Sequence, residues 1–407
     1  MQASENWQHD TDSEGAKMIL GVEKKNLRPA FLLGMLAIFL FALTVQAQTT
    51  IKDLPPPPPK WKPKPTPTPK QEAPEVISDV IKTTSNLVMV PVSVTDQQGQ
   101  AVQGLKVPDF RLEEEGKQQE ITGIGDPQQV PLAIALLFDV SSSTSQKGFF
   151  ASQQNAAATF LKLVMKPNDR AAIFTITDKP TMIQPLASAE TSAAKMLTIP
   201  AATSPVPTAF YDTVSAAAKY LTDSAPSNYR RVIVVLTDGD DNNSEIIRES
   251  ALAEYDALLR TKGTPADNVT PNPSGAVSAS ATRAALQHQK AVAAVQKAVQ
   301  QADVIFYAVN PGGPSIRLNR IAMRAEKGME AIAEITGGTA FVPESDLDLE
   351  RVFRQVAAEL RGQYLLQYYG DSSAPQGQFR RIQVAVPARA DVRVRARQGY
   401  YPKKQQD

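Results

Sequence analysis

The chain has 407 residues, of which 43 are basic and 42 acidic, for a net charge of +1; that balance leaves no electrostatic footprint for nucleic acid. There is no cysteine and there are only two histidines, His9 and His288, which excludes disulfides, thiolate metal sites and cysteine nucleophiles and leaves little for proton transfer at neutral pH. At 42% hydrophobic residues the chain can build more than one core.

The N-terminus reads as an export signal. Lys24, Lys25 and Arg28 precede the apolar run Phe31 to Val45, and Val45-Gln46-Ala47 offers a cleavage-like pattern of small residues. Residues 1–47 are therefore predicted to be a signal peptide, with Gln48 the first mature residue. The run is short of the roughly 20 residues of a spanning helix, and the alternative is an uncleaved anchor, which would be the chain's one contact with a membrane. Either way the protein is expected outside the cytoplasm: in the periplasm, in the envelope or secreted. Residues 48–75 follow as a linker. Nine of the 15 residues from Pro55 to Pro69 are proline, a composition that forms neither helix nor sheet and favours an extended, semi-rigid spacer.

From 76 to 126 the pattern becomes short alternating runs. Val88, Val90, Val92 and Val94 share one face at period two, and Asp96-Gln97-Gln98-Gly99 and Glu115-Gly116 read as hairpin turns. This is too little chain for a sandwich. The matching material lies at 363–401, in QYLLQYY, QFRRIQVAV and VRVRARQGY. These two flanks are predicted to pair into one small β-sandwich, with the middle of the chain inserted between them and 402–407 left as a tail.

The middle, 127–362, alternates strand and helix. PLAIALLFDV is a continuous apolar run, as in a strand buried on both faces, and RAAIFTIT, RRVIVVLTDG and ADVIFYAVN repeat the theme between amphipathic helices. The expected fold is α/β, a doubly wound, mostly parallel sheet covered on both sides. About 60 residues separate VIVVLTDG from ADVIFYAVN, read as helices over 244–261 and 281–301 around a disordered insertion at about 261–282.

In such a sheet, ligands gather where strands end and their order reverses. Asp139, Ser141 and Ser143 follow one apolar strand, Asp238 follows another, and Thr208 lies in a loop that enters a helix. Carboxylates and hydroxyls are hard oxygen ligands, suited to Mg²⁺, Mn²⁺ or Ca²⁺, and two aspartates balance a divalent charge. Asp240 and Asp241 lie beside them and read as a solvated acidic loop, with a tuning role or a second ion as the sharper alternative. Taken singly, the serines cap a helix, Asp238-Gly239 is a turn and Thr208 is an N-cap.

Taken together, Asp139-Val140-Ser141-Ser142-Ser143, then Thr208, then Asp238, resemble the metal-ion-dependent adhesion site of the von Willebrand factor A family. The resemblance covers about 130–362, and the flanks are similar in kind to those of a bacterial, notably acidobacterial, group of exported A-domain-related proteins. Two features depart from the family's pattern: Pro205-Val206-Pro207 stands where many members carry glycine, and the insertion after Asp238 is long. The resemblance implies Asp139, Ser141, Ser143, Thr208 and Asp238 as ligands of Mg²⁺ (or Mn²⁺ or Ca²⁺), with a carboxylate from a protein partner completing the shell. It also implies that binding is linked to movement of the last helix, about 345–362.

The function expected is metal-dependent protein binding or adhesion at the envelope. A metal-independent envelope scaffold is the alternative. A subunit serving a cytosolic ATPase fits poorly with an export signal and with the lack of a phosphate-binding loop. A serine hydrolase needs a base; His9 goes with the signal, His288 reads as a surface residue of an Ala/Gln-rich helix, and no G-x-S-x-G elbow surrounds the serines. The chain is not expected to be an enzyme.

Overall fold

The computed structural model describes residues 87–141, 150–262, 273–313, 320–344, 348–371 and 377–402. All lie in one of the chain's two compact units, Val80–Asp407. The predicted signal or anchor, the proline-rich linker and Ser143 fall outside the described residues. Among the described residues no helix is long and apolar enough to cross a membrane.

The central layer is a six-stranded sheet of order β10-β9-β8-β5-β6-β7. Its strands are β5 (Leu132–Asp139), β6 (Arg170–Ile176), β7 (Thr181–Ala187), β8 (Arg230–Leu236), β9 (Val304–Val309) and β10 (Ala340–Phe341). All neighbours run parallel except β6 and β7. Every residue of β5, β8 and β9 is buried, as their unbroken apolar runs require when helices cover both faces.

One face packs against α1 (Phe150–Val164), α2 (Ala189–Met196) and α7 (Leu349–Gly362), with Leu132, Ile134, Leu136 and Phe138 pointing that way. The other, carrying Ala133, Ala135 and Leu137, packs against α3 (Phe210–Ser224), α5 (Pro273–Gln301) and α6 (Arg320–Thr336). Both alanines of β5, Ala133 and Ala135, thus face one helix layer together with Leu137, and the other layer meets only large side chains of β5. Helix α4 (Arg248–Lys262) lies against α5.

Two antiparallel four-stranded sheets, β13-β1-β11-β4 and β14-β12-β2-β3, form the sandwich. β1 (Leu87–Thr95), β2 (Arg111–Glu114), β3 (Lys117–Gln119) and β4 (Ile121–Gly125) come from the N-terminal flank, and β11 (Tyr364–Tyr369), β12 (Arg380–Ala385), β13 (Arg393–Ala396) and β14 (Gly399–Tyr400) from the C-terminal one. β1 lies between β11 and β13, and β12 pairs with β2. The buried valines 88, 90, 92 and 94 meet Leu112, Leu366, Tyr368 and Ile382 in a separate core.

Polar contacts tie the layers together. Arg230, at the start of β8, is buried and donates to the carbonyls of Leu360 and Pro127 and to Gln363 Oε1. Burial foremost, then the nearby Arg361 charge, brings its pKa down to about 10. Arg361 pairs with Asp169, and Glu359 of α7 with Arg395 of β13.

Three local expectations are corrected. α5 begins at Pro273, so 273–282 is helix where the reading placed disordered loop; Ala-rich sequence behind a proline at the first helical position is a good helix start. Residues 263–272 lie outside the description. α4 begins at Arg248, not 244, because Ile247 and Arg248 donate their N–H groups to the Ser244 carbonyl in a turn. Helix α2 was not expected at all; Ser188 caps it by accepting from Thr191 N.

Candidate metal centre at the strand tips

Sequential strands run outward from β5 in both directions, so the strand order reverses between β5 and β8. Asp139 ends β5, and Asp238 lies just past the end of β8. Both therefore lie at the carboxyl edge of the sheet's switch point, where the two connections diverge and leave a crevice.

Asp139 is buried, 1% exposed, and Ser141 is 2% exposed. Asp139 Oδ1 accepts from Ser141 N at 2.7 Å, and Oδ2 accepts from Thr237 Oγ1 at 2.5 Å. Burial foremost, then the Asp238 charge, pushes the Asp139 carboxyl up to about 7, against the lowering effect of those hydrogen bonds. Asp238 is half-buried and its Oδ1 accepts from Asp240 N at 3.2 Å.

Thr208 is buried and locked to the Asp238 loop. Its N–H donates to Asn242 Oδ1 at 2.9 Å, and its carbonyl accepts from Asn242 N and Asn243 N at 3.1 and 2.9 Å. The Pro205-Val206-Pro207 approach therefore ends in a fixed position. Asp139, Ser141 and Asp238 meet at one edge, and Thr208 is stapled to the loop that carries Asp238.

The acidic pair beyond Asp238 differs from its reading as a solvated loop. Asp241 is buried and takes Tyr211 N (2.8 Å) and Ser244 Oγ (2.6 Å) on Oδ2, and Asn243 N and Ser244 N on Oδ1. Its carboxylate is fully engaged in fixing the start of α3 to the turn before α4. Burial raises its pKa despite those bonds. Asp240 is half-buried, and burial, then Asp238 and Asp241, push it up to about 6.

His288 is likewise not a surface residue. It is 7% exposed, with Nε2 at 2.7 Å from the Tyr211 hydroxyl and 3.1 Å from the Arg324 carbonyl oxygen. Sequence reasoning also missed Thr237 and Asn242, which hold Asp139 and Thr208. Nothing local marks them, because their partners lie 98 and 34 residues away.

The donors suit a hard divalent cation: two carboxylates for charge and neutral hydroxyls for coordination. Among the described residues no group of three or more His, Asp or Glu side chains is arranged to hold a metal, so the donor set rests on hydroxyls beside a carboxylate pair. The fold and these strand tips define a doubly wound α/β domain with an oxygen-rich switch-point site.

Residues 134–240 match the family model of the von Willebrand factor type A domain. No curated protein matches. Among solved structures, the chain is similar to proximal thread matrix protein 1 from the mussel byssus with a zinc-occupied MIDAS motif, at 17% identity over 60% of this chain and 49% of that one, TM-score 0.37. A von Willebrand factor type A protein from Catenulispora acidiphila is 12% identical over 79% and 64%, TM-score 0.39. An aerotolerance-related membrane protein from Bacteroides fragilis is 14% identical over 56% and 98%, TM-score 0.33. The chain spans about half the length of the mussel protein.

Proposed function

We propose that the chain is a non-enzymatic binding module of the cell exterior that recognises a protein partner through a divalent cation held by Asp139, Ser141, Ser143, Thr208 and Asp238. One observation carries the reading. Segments 139–141, 208 and 237–242, far apart in the chain, converge on the switch point, and together they offer hard oxygen donors and no thiolate or imidazole. Asp139 and Asp238 would hold the ion's charge, Ser141, Ser143 and Thr208 would contribute hydroxyls, and Mg²⁺ is the ion favoured, with Mn²⁺ and Ca²⁺ next. Bound there, a divalent cation supplies a Lewis-acidic point for a partner's carboxylate. Thr237 holds Asp139 in place, and Asn242 fixes Thr208. What speaks against a hydrolase is that His288, the one histidine among the described residues, is committed to Tyr211. Export rests on the basic-then-apolar N-terminus, and is tested by locating the mature chain, with N-terminal sequence from Gln48, outside the cytoplasm.

The test is titration calorimetry of Mg²⁺ and Mn²⁺ into the full chain. The expected result is one saturable site, lost in Asp139→Ala, with the thermal midpoint of the unliganded variant showing that it still folds. Saturating metal at 100 times Kd should stabilise the wild type by about 2.7 kcal/mol and the variant not at all. Equal heats from both chains would refute the metal reading.

A metal-independent scaffold is the second reading, and it draws on the internal donors already bound to both Asp139 oxygens. Capture of an envelope partner that survives EDTA and Asp139→Ala would favour it.

A further inference from the structure

A second site lies away from the strand tips. Helices α5 and α6 pack side by side, joined by Gln296 Nε2 to the Ala331 carbonyl at 3.0 Å and by His288 to the Arg324 carbonyl. Between them runs an open trough of about 540 Å³. Ala285 to Gln296 form one wall and Arg320 to Ala331 the other, so at 1.5 Å per residue it is about 16 Å long, or three helical turns. Small side chains deepen it: Ala285, Gly328 and Ala331 stand where larger residues would fill it. Gly328 is required. A Cβ there would meet the Tyr211 hydroxyl at 2.8 Å and His288 Nε2 at 3.1 Å. At that point the trough is lined by His288, which the Tyr211 hydroxyl contacts from behind at 2.7 Å.

The trough's charge is one-sided. Arg320, Arg324 and Lys327 line it at spacings of four and three along α6, so they share one face, and among the described residues no acidic side chain lines it. The acids of the same helix, Glu326, Glu330 and Glu334, lie off the groove. Arg324 is held by Glu254 at 2.8 Å, whereas Arg320 and Lys327 are exposed. Arg320 opens α6, and the first turn holds no acid; a cation at a helix N-terminus works against the helix dipole, so local helix stability does not explain it. Met323, 42% exposed, adds an adaptable apolar contact on the same rim.

We propose that this trough docks an acidic amphipathic helix of a partner protein, its apolar stripe against Val292, Met323 and Ala331 and its carboxylates, one turn apart, facing Arg320 and Lys327. A row of cations at helical spacing matches a row of anions, which a ligand with a single anionic head does not supply.

The probe is a synthetic helix of about 15 residues with a leucine stripe flanked by glutamates at i, i+4 and i+7. Because the chain has no cysteine, a fluorophore placed by Met323→Cys reports on the rim alone. In the full chain, with EDTA present so that the strand-tip site plays no part, the peptide should saturate the signal. The Arg320→Glu/Lys327→Glu variant should weaken it by about tenfold or more with unchanged thermal midpoint, and a lysine-for-glutamate peptide should regain binding to that variant. No saturable binding, equal binding of both peptides by the wild type, or tight binding of dodecanoate without the peptide would each overturn the proposal, the last in favour of a small amphiphile.

Discussion

A proton added to His288 would put a charge in a buried site beside another cation, and the one carbonyl it faces does not offset that. Its Nε2 faces the Tyr211 hydroxyl and a backbone carbonyl, and the Arg324 guanidinium is close by, neutralised in part by Glu254. Burial foremost, then the Arg324 charge, brings its pKa down to about 4. The folded pKa lies below the unfolded value of about 6.5, so between those pH values the unfolded chain binds more protons. Stability should therefore fall as pH drops from about 6.5 to about 4, by at most about 3 kcal/mol, and be unaffected by this group above that window. Denaturant midpoints across pH 4–7 should show a shallower acid slope for His288→Gln than for the wild type; identical slopes would rule this origin out. The same histidine shows where one-dimensional reading stops. Its neighbours Ala, Gln and Lys look like a solvated helix face, and only the packing of α5 on α3 and α6 buries it. The strand-tip residues were legible for the opposite reason. Asp139, Ser141 and Asp238 sit directly after apolar runs, so their place in the fold follows from the strands. That both Asp139 oxygens already accept hydrogen bonds was not legible, because Thr237 reaches Asp139 only across the β5–β8 pair.

At the scale of elements, two positions carry more than their local sequence suggests. Gly338 joins α6 to β10 by crossing over β9, where an added Cβ would lie 1.9 Å from the Phe306 carbonyl oxygen and 2.8 Å from its carbon. Backbone cannot step aside as a side chain can, so Gly338→Ala should destabilise by about 3 kcal/mol or more, read as lost soluble yield or a lowered urea midpoint. Arg230 clamps the end of α7, and Arg230→Met should leave the Leu360 and Pro127 carbonyls without that donor and cost about 2–4 kcal/mol. A melting point within a degree of the wild type would show that the clamp is dispensable. The strands buried on both faces were readable because they are unbroken apolar runs. Helix α2 was not readable: AETSAAKM is mostly small and polar, and it is held by packing against α1 and β6 rather than by a strong apolar stripe.

The whole Val80–Asp407 unit is expected to unfold as one. Arg230, Glu359–Arg395 and the Gln363 Nε2 to Ser93 Oγ bond at 3.1 Å bind the sandwich to the α/β layer, and α7 runs straight into β11. Calorimetry should give a single transition for this unit; two resolved ones would mean that these contacts do not couple the layers. The pairing of the two flanks was legible in outline, since neither holds enough strands alone, while the register was not, because similar valine-rich alternation fits several alignments. β1 sits at the centre of its sheet, and its neighbours in β11 lie 272 to 282 residues further along the chain. On a ribosome adding roughly 5–20 residues per second, a newly made Leu87–Thr95 segment must wait on the order of half a minute, with only its last two residues paired locally to Ala101 and Val102, before its first companion strand exists. The segment synthesised earliest thus closes its sheet last, and any holding factor that meets the nascent polypeptide should find that strand available throughout translation.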